Sequence, residues 1–452
     1  MSYSNQRHQD RLIVFTRVRA MEDDRSELET ACYNFPFLFH SSGTPWHEAN
    51  AYLVNVADGM WDKARPADEL RRRASKLLDY LLFCDDEGID WLDFSGKRPA
   101  QRPTYKYYAY LTSRSARSNA VINQYTAVIY DFYQYVSQTW HSIDMRLVDE
   151  VKNVKFLVGL GEKVKVVSAL KRSQTKPTPP RSSVPLGFVM DAGEYLRPLD
   201  NDELASLLEM SRDQRFSQLE RLLIYTSLMT GARKQTVLTM RVKHLQAFDH
   251  KRLREDGCYL LHAGPRTGID TKHSKPQKLY FPRQLAEALV RFAMSPTMKN
   301  RRKRLVEQIE ARCPNTVFAD EDCYIFLSNQ GGCYYMAEND PRYLTVKSPP
   351  SGQVTDTIKR KLLKHQRTTF PNAFTYHWLR ATYAFQLYQS LRAVIEAGII
   401  QPGDDIDFIR ERMHHSNRET TEQYLNLFRM LPARVVVQEF YESKLFGEFV
   451  FE

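Results

Sequence analysis

The sequence of 452 residues lacks the patterns that mark a secreted, disulfide-bonded or membrane-spanning protein. Its cysteines are scattered, with no Cys-x-x-Cys pair and no histidine at zinc-type spacing, so we expect no disulfide framework, no metal site and no cofactor. No apolar run approaches the roughly 20 residues that span a bilayer. The N-terminal sequence MSYSNQRHQD has no apolar signal core. These absences predict a cytoplasmic protein without a membrane partner.

The composition is that of a globular protein with an excess of positive charge. Apolar residues make up 42% and charged residues 26% of the chain, and the length suits about three domains of roughly 150 residues each. The net charge is +10 and the isoelectric point is near 9.1. A basic protein of this kind favours a polyanionic partner such as nucleic acid.

The clearest internal boundary is the segment KRSQTKPTPPRSSVP at residues 171–185. Its prolines and its Ser/Thr content predict extended chain rather than helix or strand. Basic residues outnumber acids around it: Lys152, Lys155, Lys163, Lys165, Lys171, Arg172, Lys176 and Arg181, against Glu162. A passive tether needs no such bias. We therefore predict that this linker lies along DNA phosphates and binds them through Lys163, Lys165, Lys171, Arg172 and Lys176.

Apolar spacing predicts several helices before this boundary and a mixed region after it. The upstream helices are Ala67–Asp86, Thr104–Thr112 and Ser118–Ser137, with a further helix over Pro45–Met60. Aromatic residues crowd the last two of the three, and we interpret them as core. The predicted downstream helices are Ser217–Met229, Lys234–Met240, Thr375–Leu391, Asp405–Met413 and Glu419–Phe428.

Two short apolar runs after the turn pair Asp256-Gly257 predict strands, at Cys258–Leu261 and Lys278–Phe281. The predicted fold is therefore mainly α-helical with a small antiparallel β-sheet. Two basic clusters, Lys299–Arg304 and Lys359–Lys364, are interpreted as solvated helix faces, with extra DNA contacts as the alternative.

Four fragments together carry the groups that metal-free phosphoryl transfer on DNA requires. Arginines neutralise the growing charge of the phosphate, a base helps to remove the phenolic proton, and a lysine protonates the leaving 5′-oxygen. A covalent intermediate conserves the energy of the broken bond, so rejoining needs no ATP. The fragments are Thr230-Gly231-Ala232-Arg233, the lysine-rich loop Thr271–Lys278, His377-Trp378-Leu379-Arg380, and His415 followed by Tyr424.

In order, type and spacing these motifs resemble those of the tyrosine recombinase family, over roughly residues 65–430. The matching boxes are Thr230 to Arg233, His377 to Thr382, and His415 to Tyr424. The resemblance implies that Tyr424 is the nucleophile and that a hairpin lysine is the general acid. It also implies that the scissile phosphate is surrounded by Arg233, His377, Arg380 and His415. Lys272 fits the family's lysine pattern best and is the predicted general acid, with Lys275 and Lys278 as alternatives. Lys275 is also expected to bind DNA.

The resemblance also implies a domain order and partners. We expect an N-terminal extension (1–64), a helical core-binding domain (65–150), a basic linker (151–190), a tyrosine-recombinase catalytic domain (191–432) and a C-terminal tail (433–452). The tail, rich in apolar residues, is expected to dock on a neighbouring protomer. The partners would be double-stranded recombination sites, three further copies in a tetramer that exchanges strands through a Holliday junction, and accessory DNA-bending or directionality factors.

The sequence departs from the family at two informative positions. Thr236 stands where members usually place an acid that supports the first arginine, and Ala381 replaces a common second histidine. The support of Arg233 is therefore unassigned by the sequence. The alternatives are a type IB topoisomerase or telomere resolvase, which use a similar cationic set, and a recombinase-like DNA-binding protein without catalysis.

Overall fold

The computed structural model describes residues 11–19, 31–60, 66–113, 116–160, 163–177, 184–185, 187–191, 193–365, 370–401, 403–415 and 420–428. The chain divides into two compact units. The first contains Met1–Arg181 with Leu344–Lys347, and the second contains Ser182–Tyr343 with Ser348–Glu452. The predicted tail at 433–452 lies outside the described residues.

The first unit is mainly helical and has two hairpins. Its elements are β1 (Leu12–Arg19), β2 (Ala31–Leu38), α1 (His47–Asp58), α2 (Pro66–Asp86), α3 (Pro103–Ser113), α4 (Asn119–Thr139), α5 (Met145–Val148), β3 (Val151–Leu160) and β4 (Lys163–Arg172). The four helices predicted between residues 45 and 137 are confirmed, as α1 to α4. The antiparallel hairpin of β1 and β2 was not predicted.

Aromatic side chains form the centre of this unit's core. In α4 the buried positions recur every three or four residues, at 122, 126, 129, 133 and 136, so that one helix face packs inwards. Trp46 and Phe132 are fully buried with ring centroids 5.2 Å apart, and Tyr133 donates or accepts a hydrogen bond with Tyr80 at 2.6 Å. The interpretation of the aromatics on α3 and α4 as core is confirmed for Tyr107, Phe132 and Tyr133, and most of the others pack against this core partly buried.

The segment predicted as the first part of a basic linker contains a hairpin. Strands β3 and β4 pair antiparallel along their whole lengths, from Val151 opposite Arg172 to Leu160 opposite Lys163. The prediction of extended chain for residues 171–185 is wrong at Lys171 and Arg172, which belong to β4. Before them β-branched residues alternate with lysines, a strand pattern that the prediction overlooked. The register places Lys152 directly opposite Lys171.

The second unit begins with a short hairpin and continues with helices around one further hairpin. Its elements are β5 (Val189–Asp191), β6 (Glu194–Leu196), α6 (Asn201–Arg212), α7 (Gln218–Thr230), α8 (Lys234–Leu238), β7 (Cys258–Ala263), β8 (Gln277–Pro282), α9 (Arg283–Ala293), α10 (Pro296–Arg312), α11 (Val354–Lys364), α12 (Trp378–Glu396), α13 (Asp404–Met413) and α14 (420–428). The five helices predicted here are confirmed as α7, α8, α12, α13 and α14. Helices α6 and α9 were not predicted, while α10 and α11 were implied by the interpretation of the two basic clusters as helix faces.

The two strands predicted after residue 256 are confirmed, and they hold the lysine-rich loop. β7 and β8 pair antiparallel from Cys258 opposite Pro282 to Ala263 opposite Gln277. Alternate residues of β7 are buried, at Tyr259, Leu261 and Ala263, because one face of the hairpin packs on the helices. The loop between the strands is thereby fixed at both ends. No helix in the described ranges is long and apolar enough to cross a membrane.

Helix α10 carries the basic cluster at 299–304, and its arginines make structural contacts. Arg302 is only 2% exposed, and its guanidinium donates to Asp320 at 2.7 Å and to the carbonyl oxygen of Ala293 at 2.5 Å. Its neighbours donate to a loop, Arg301 to the carbonyl of Leu327 and Arg304 to that of Asn329. The interpretation of this cluster as a solvated face is wrong for Arg302, because the buried carbonyl needs a donor.

We expect the Arg302→Ala substitution to lower the free energy of unfolding by about 2 kcal/mol, since it leaves a buried carbonyl unpaired. Chemical denaturation would measure the change. The matched control is Lys303→Ala, whose side chain is exposed and whose loss should change stability by less than about 0.5 kcal/mol. Equal effects of the two substitutions would contradict the structural role of Arg302.

Candidate active site

The first arginine of the site is positioned by a glycine turn. Helix α7 ends at Gly231, which adopts a left-handed conformation with φ of 64°. A Cβ at this position would overlap the ring of Tyr383 on α12, so both the conformation and the close approach require glycine. Two residues later Arg233 is the N-cap of α8. The Thr-Gly-Ala-Arg sequence thus turns the chain sharply and brings Arg233 beside α12.

The second arginine, Arg380, lies in the first turn of α12 and is 2% exposed. Its Nη1 donates to the carbonyl of Gly231 at 2.5 Å, and its Nη2 donates to the carbonyl of Met413. Burial and the neighbouring Arg233 guanidinium lower the pKa of Arg380. Each terminal nitrogen carries two hydrogens, so one on each is left for a phosphate oxygen.

A carboxylate that the sequence analysis did not identify joins the two arginines. Asp191, in β5, accepts hydrogen bonds from Arg233 Nη2 at 2.8 and 3.0 Å and from Arg380 Nε at 3.0 Å. Burial raises the pKa of Asp191, but Arg380 and Arg233 outweigh burial and hold it below its ordinary range. Thr236 makes no side-chain hydrogen bond through its buried Oγ1 to any described residue. The support expected from the position of Thr236 therefore comes from a different element.

The short hairpin of β5 and β6 also positions the first histidine. His377 is the N-cap of α12, and its Nδ1 lies 3.1 Å from Glu194 Oε2. The next residue, Trp378, donates through Nε1 to the carbonyl of Tyr195 at 3.1 Å. His377 Nε2 is buried without a hydrogen-bond partner in the described part of the chain. This nitrogen is therefore available to a ligand.

One cavity of about 760 Å³ brings four of the predicted catalytic side chains together. Its lining includes Arg233, Lys272, His377 and Arg380. Lys234 and Lys359 line the same cavity, although Lys359 was assigned with its basic cluster to a solvated helix face. Such a concentration of cationic groups, with hydrogen-bond donors unpaired, suits an anion with several oxygens.

The three candidate lysines of the hairpin loop occupy different places. Lys272 lines the cavity of the two arginines, whereas Lys275 lines a separate cavity with His414 and His415. The backbone of Lys278 lies against His414, whose Nε2 is 2.8 Å from its carbonyl oxygen and 3.0 Å from its nitrogen. The role of general acid stays a prediction, and Lys272 is the candidate whose placement fits it.

Tyr424 lies on α14 and is fully buried, outside the lining of the cationic cavity. The helix packs on α12 through Phe428, which contacts Phe385 and Tyr388. Burial raises the pKa of the Tyr424 phenol, and its Oη has no hydrogen-bond partner among the described residues. The structure thus keeps the phenol neutral, although Arg380 and Arg233 lie close enough to lower its pKa in part.

The second histidine of the motif stacks against this tyrosine. The rings of His415 and Tyr424 have centroids 5.2 Å apart and are inclined by 28°. His415 Nδ1 lies 3.0 Å from Thr421 Oγ1, while Nε2 is buried and unpaired within the described ranges. Burial lowers the pKa of His415 to about 3. A neutral imidazole next to a phenol is able to accept its proton.

The residues predicted to bind DNA in the first unit differ in their surroundings. Lys171 is exposed, and the backbone nitrogen of Lys176 donates to Asn123 Oδ1 at 2.8 Å. Arg172 donates to the carbonyl of Thr126 at 2.7 Å and lies over the Tyr130 ring, so it attaches β4 to α4. Lys163 and Lys165 are in β4; their side chains lie outside the described part of the structure.

Comparison with known proteins finds similarity in structure alone. No protein-family model matches, and no curated protein matches. The Tn1549 transposon integrase in complex with transposon right end DNA is 13% identical with a TM-score of 0.39, covering 86% of this chain and 99% of that one. The XerH site-specific recombinase bound to a palindromic difH substrate is 14% identical with a TM-score of 0.44, covering 87% and 89%. A lambda integrase dimer bound to a COC′ core site is 12% identical with a TM-score of 0.37, covering 83% and 94%.

These solved structures are of tyrosine recombinases, the family that the sequence motifs resemble. With identities of 12–14% and TM-scores below 0.5, the chemistry of this chain has to be argued from its own site. Among the described residues, no group of three His, Cys, Asp or Glu side chains is arranged to hold a metal ion.

The adjacent histidines at the end of α13 predict a loss of stability in mild acid. Burial lowers the pKa of His414 from its usual 6.5 to about 4, and that of His415 to about 3. Below pH 6.5 the unfolded chain binds protons that the folded chain excludes, so the free energy of unfolding falls as the pH falls. Each histidine should contribute roughly 2 kcal/mol of this loss between about pH 7.5 and pH 5.

Chemical denaturation at the two pH values would measure the loss in the unaltered protein and in His414→Asn. Asparagine tolerates the left-handed conformation at this position, where φ is 53°. The variant should lose less stability between the two pH values than the unaltered protein does. An identical loss in both would show that His414 is not held neutral by burial.

Proposed function

We propose that this protein is a site-specific DNA recombinase of the integrase type, which cleaves and rejoins DNA through a 3′-phosphotyrosine bond to Tyr424. The observation that carries the proposal is the single cavity lined by Arg233, Lys272, His377 and Arg380. Its donors match a phosphodiester that gains negative charge in the transition state. The motif from His415 to Tyr424 supplies the base and the nucleophile of the proposed reaction.

In the cleavage step, Tyr424 Oη attacks the scissile phosphorus and the bond to the 5′-oxygen breaks. The phenolic proton passes to His415 Nε2, and Lys272 gives a proton to the leaving oxygen, which departs as a 5′-hydroxyl. Arg233 and Arg380 bind the non-bridging oxygens. In rejoining, a 5′-hydroxyl attacks the phosphotyrosine and Tyr424 leaves, with the two proton transfers reversed. The energy of the phosphodiester is conserved, so the reaction requires no ATP, and Arg233 and Arg380 neutralise the phosphate charge in place of a metal ion.

The buried phenol indicates that cleavage requires a rearrangement of α14. Tyr424 is outside the cationic cavity, and its ring is held by His415 and Phe428. We propose that binding of DNA draws Tyr424 towards the phosphate, where the arginines stabilise the phenolate. Uncontrolled cleavage of DNA is thereby prevented while no substrate is bound.

The proposed partners are double-stranded recombination sites, each bound by two copies, with four copies acting on two sites through a Holliday junction. Basic residues of the segment 151–190 would contact the DNA backbone, among them Lys163, Lys165 and Lys171. The tail at 433–452 would dock on a neighbouring protomer. Truncation of the tail would then leave binding to one site intact and abolish pairing of two sites.

The Tyr424→Phe variant should form no covalent adduct with DNA, while its affinity for DNA stays within about threefold, because only one hydroxyl is removed. The probe is a set of nicked duplex oligonucleotides that tile the DNA flanking the gene. Cleavage of these duplexes releases a short fragment that carries the 5′-hydroxyl. Because the fragment diffuses away, rejoining cannot occur and the adduct accumulates. Denaturing gels would detect the adduct.

The matched control is Tyr388→Phe, which removes the hydroxyl of another buried tyrosine that packs in the same region. This variant should form the adduct. Adduct formation by Tyr424→Phe would refute the assignment of the nucleophile. Absence of an adduct for the unaltered protein across the whole tiled set would contradict the proposed function.

Lys272→Ala should reduce cleavage at least about a hundredfold, since the leaving oxygen loses its proton donor. A substrate with sulfur in place of the bridging 5′-oxygen needs no such proton and should restore the rate. Lys275→Ala is the control, because Lys275 lines the other cavity. Rescue of Lys275→Ala instead of Lys272→Ala would show that Lys275, and not Lys272, is the general acid.

A further inference from the structure

The two arginines of the cavity share one carboxylate, and the residue that carries it lies outside the sequence motifs that contain the arginines. Asp191 is 7% exposed and accepts hydrogen bonds from both Arg233 and Arg380. It lies 42 residues before Arg233 and 189 before Arg380, in a strand of three residues. The position three residues after Arg233 is occupied by Thr236, which has no charge to offer.

The two arginines depend on this carboxylate to different degrees. Arg380 is also held by the carbonyls of Gly231 and Met413. The side chain of Arg233 donates hydrogen bonds within the described structure only to Asp191, and its Nε is buried and unpaired there. Without Asp191, Arg233 would therefore have no described side-chain partner that fixes its orientation.

We propose that Asp191 is the positioning residue for Arg233, and that it supplies from β5 the negative charge that Thr236 does not supply from α8. This inference rests on the proposed function, since the orientation of Arg233 matters through the phosphate that it binds. Asp191 holds the guanidinium through Nη2 alone, so that Nη1 keeps its hydrogens for a phosphate oxygen. It also offsets the repulsion between two neighbouring cations before the phosphate enters.

The surroundings of Thr236 allow a carboxylate to be placed on α8 in place of the one that Asp191 supplies from β5. Thr236 lies three residues after Arg233, close to the same face of α8. It is fully buried, and neither its Oγ1 nor Arg233 Nε has a hydrogen-bond partner in the described part of the chain. Aspartate has nearly the volume of threonine. The Thr236→Asp substitution would therefore place a carboxylate next to Arg233 without overfilling the core.

The experiment compares Asp191→Asn, Thr236→Asp and the double variant in the covalent-adduct assay with the nicked oligonucleotides. Asp191→Asn should cleave at least about a hundredfold more slowly, with DNA affinity within about threefold. The double variant should cleave at least about tenfold faster than Asp191→Asn alone. The control is Asp202→Asn, an exposed carboxylate on α6 whose loss should not change the cleavage rate.

A second readout separates positioning from a structural role. A methylphosphonate at the scissile position removes one negative charge, so a correctly oriented Arg233 contributes less to its cleavage. The ratio of rates between Asp191→Asn and the unaltered protein should therefore rise towards one on that substrate. If Asp191→Asn fails to fold, Asp191→Glu keeps the charge, and it should cleave at a rate between those of the unaltered protein and Arg233→Ala.

Failure of this inference and failure of the proposed function have different signatures. If the unaltered protein forms the adduct through Tyr424 and Asp191→Asn forms it at the same rate, the inference is overturned and the function stands. The inference is also overturned if Asp191→Asn is slow and the double variant, though folded, recovers nothing. If the unaltered protein forms no adduct with any tiled oligonucleotide, the function itself is contradicted.

Discussion

Two guanidinium groups that face one phosphate repel each other as long as the phosphate is absent. Two like charges about 4 Å apart interact by about 4 kcal/mol at an effective dielectric constant near 20. In this protein the buried carboxylate of Asp191 lies between Arg233 and Arg380 and offsets that repulsion. The same short hairpin contacts His377 through Glu194. The geometry of the cationic cavity therefore depends on a hairpin of eight residues, Val189 to Leu196.

Several polar atoms at the site are buried without partners, and this is informative because such atoms are uncommon in folded proteins. In the described ranges they include Arg233 Nε, His377 Nε2, His415 Nε2 and Tyr424 Oη. Their burial carries a free-energy cost that a hydrogen-bonding substrate would relieve. Low polarity also keeps His415 neutral and the phenol protonated. Under the proposed function, the resting site thus keeps its base and its nucleophile in the protonation states from which proton transfer starts.

Basic residues in this chain serve two distinct purposes, and the net charge does not separate them. Arg302 and Arg172 attach elements to one another through backbone carbonyls. Lys272 and Lys359 line the cavity instead, where they contribute to its potential. An arginine provides a planar fork that satisfies buried carbonyls, while a lysine carries a compact charge on a flexible stem. The tertiary contacts, rather than the count of charges, decide which basic side chains remain available to a ligand.

The amino-acid sequence by itself determined helices α1 to α4, α7, α8 and α12 to α14, the β7–β8 hairpin and the order of the motifs that carry Arg233, Arg380 and Tyr424. These features depend on residue spacing within one element, where periodicity is a local signal. Only the tertiary structure decided that Asp191 replaces the acid missing at Thr236, and that Tyr424 is buried outside the cavity. It also separated Lys272 from Lys275, which are three residues apart. Such contacts join elements distant along the chain, and no local pattern encodes which carboxylate reaches a given guanidinium.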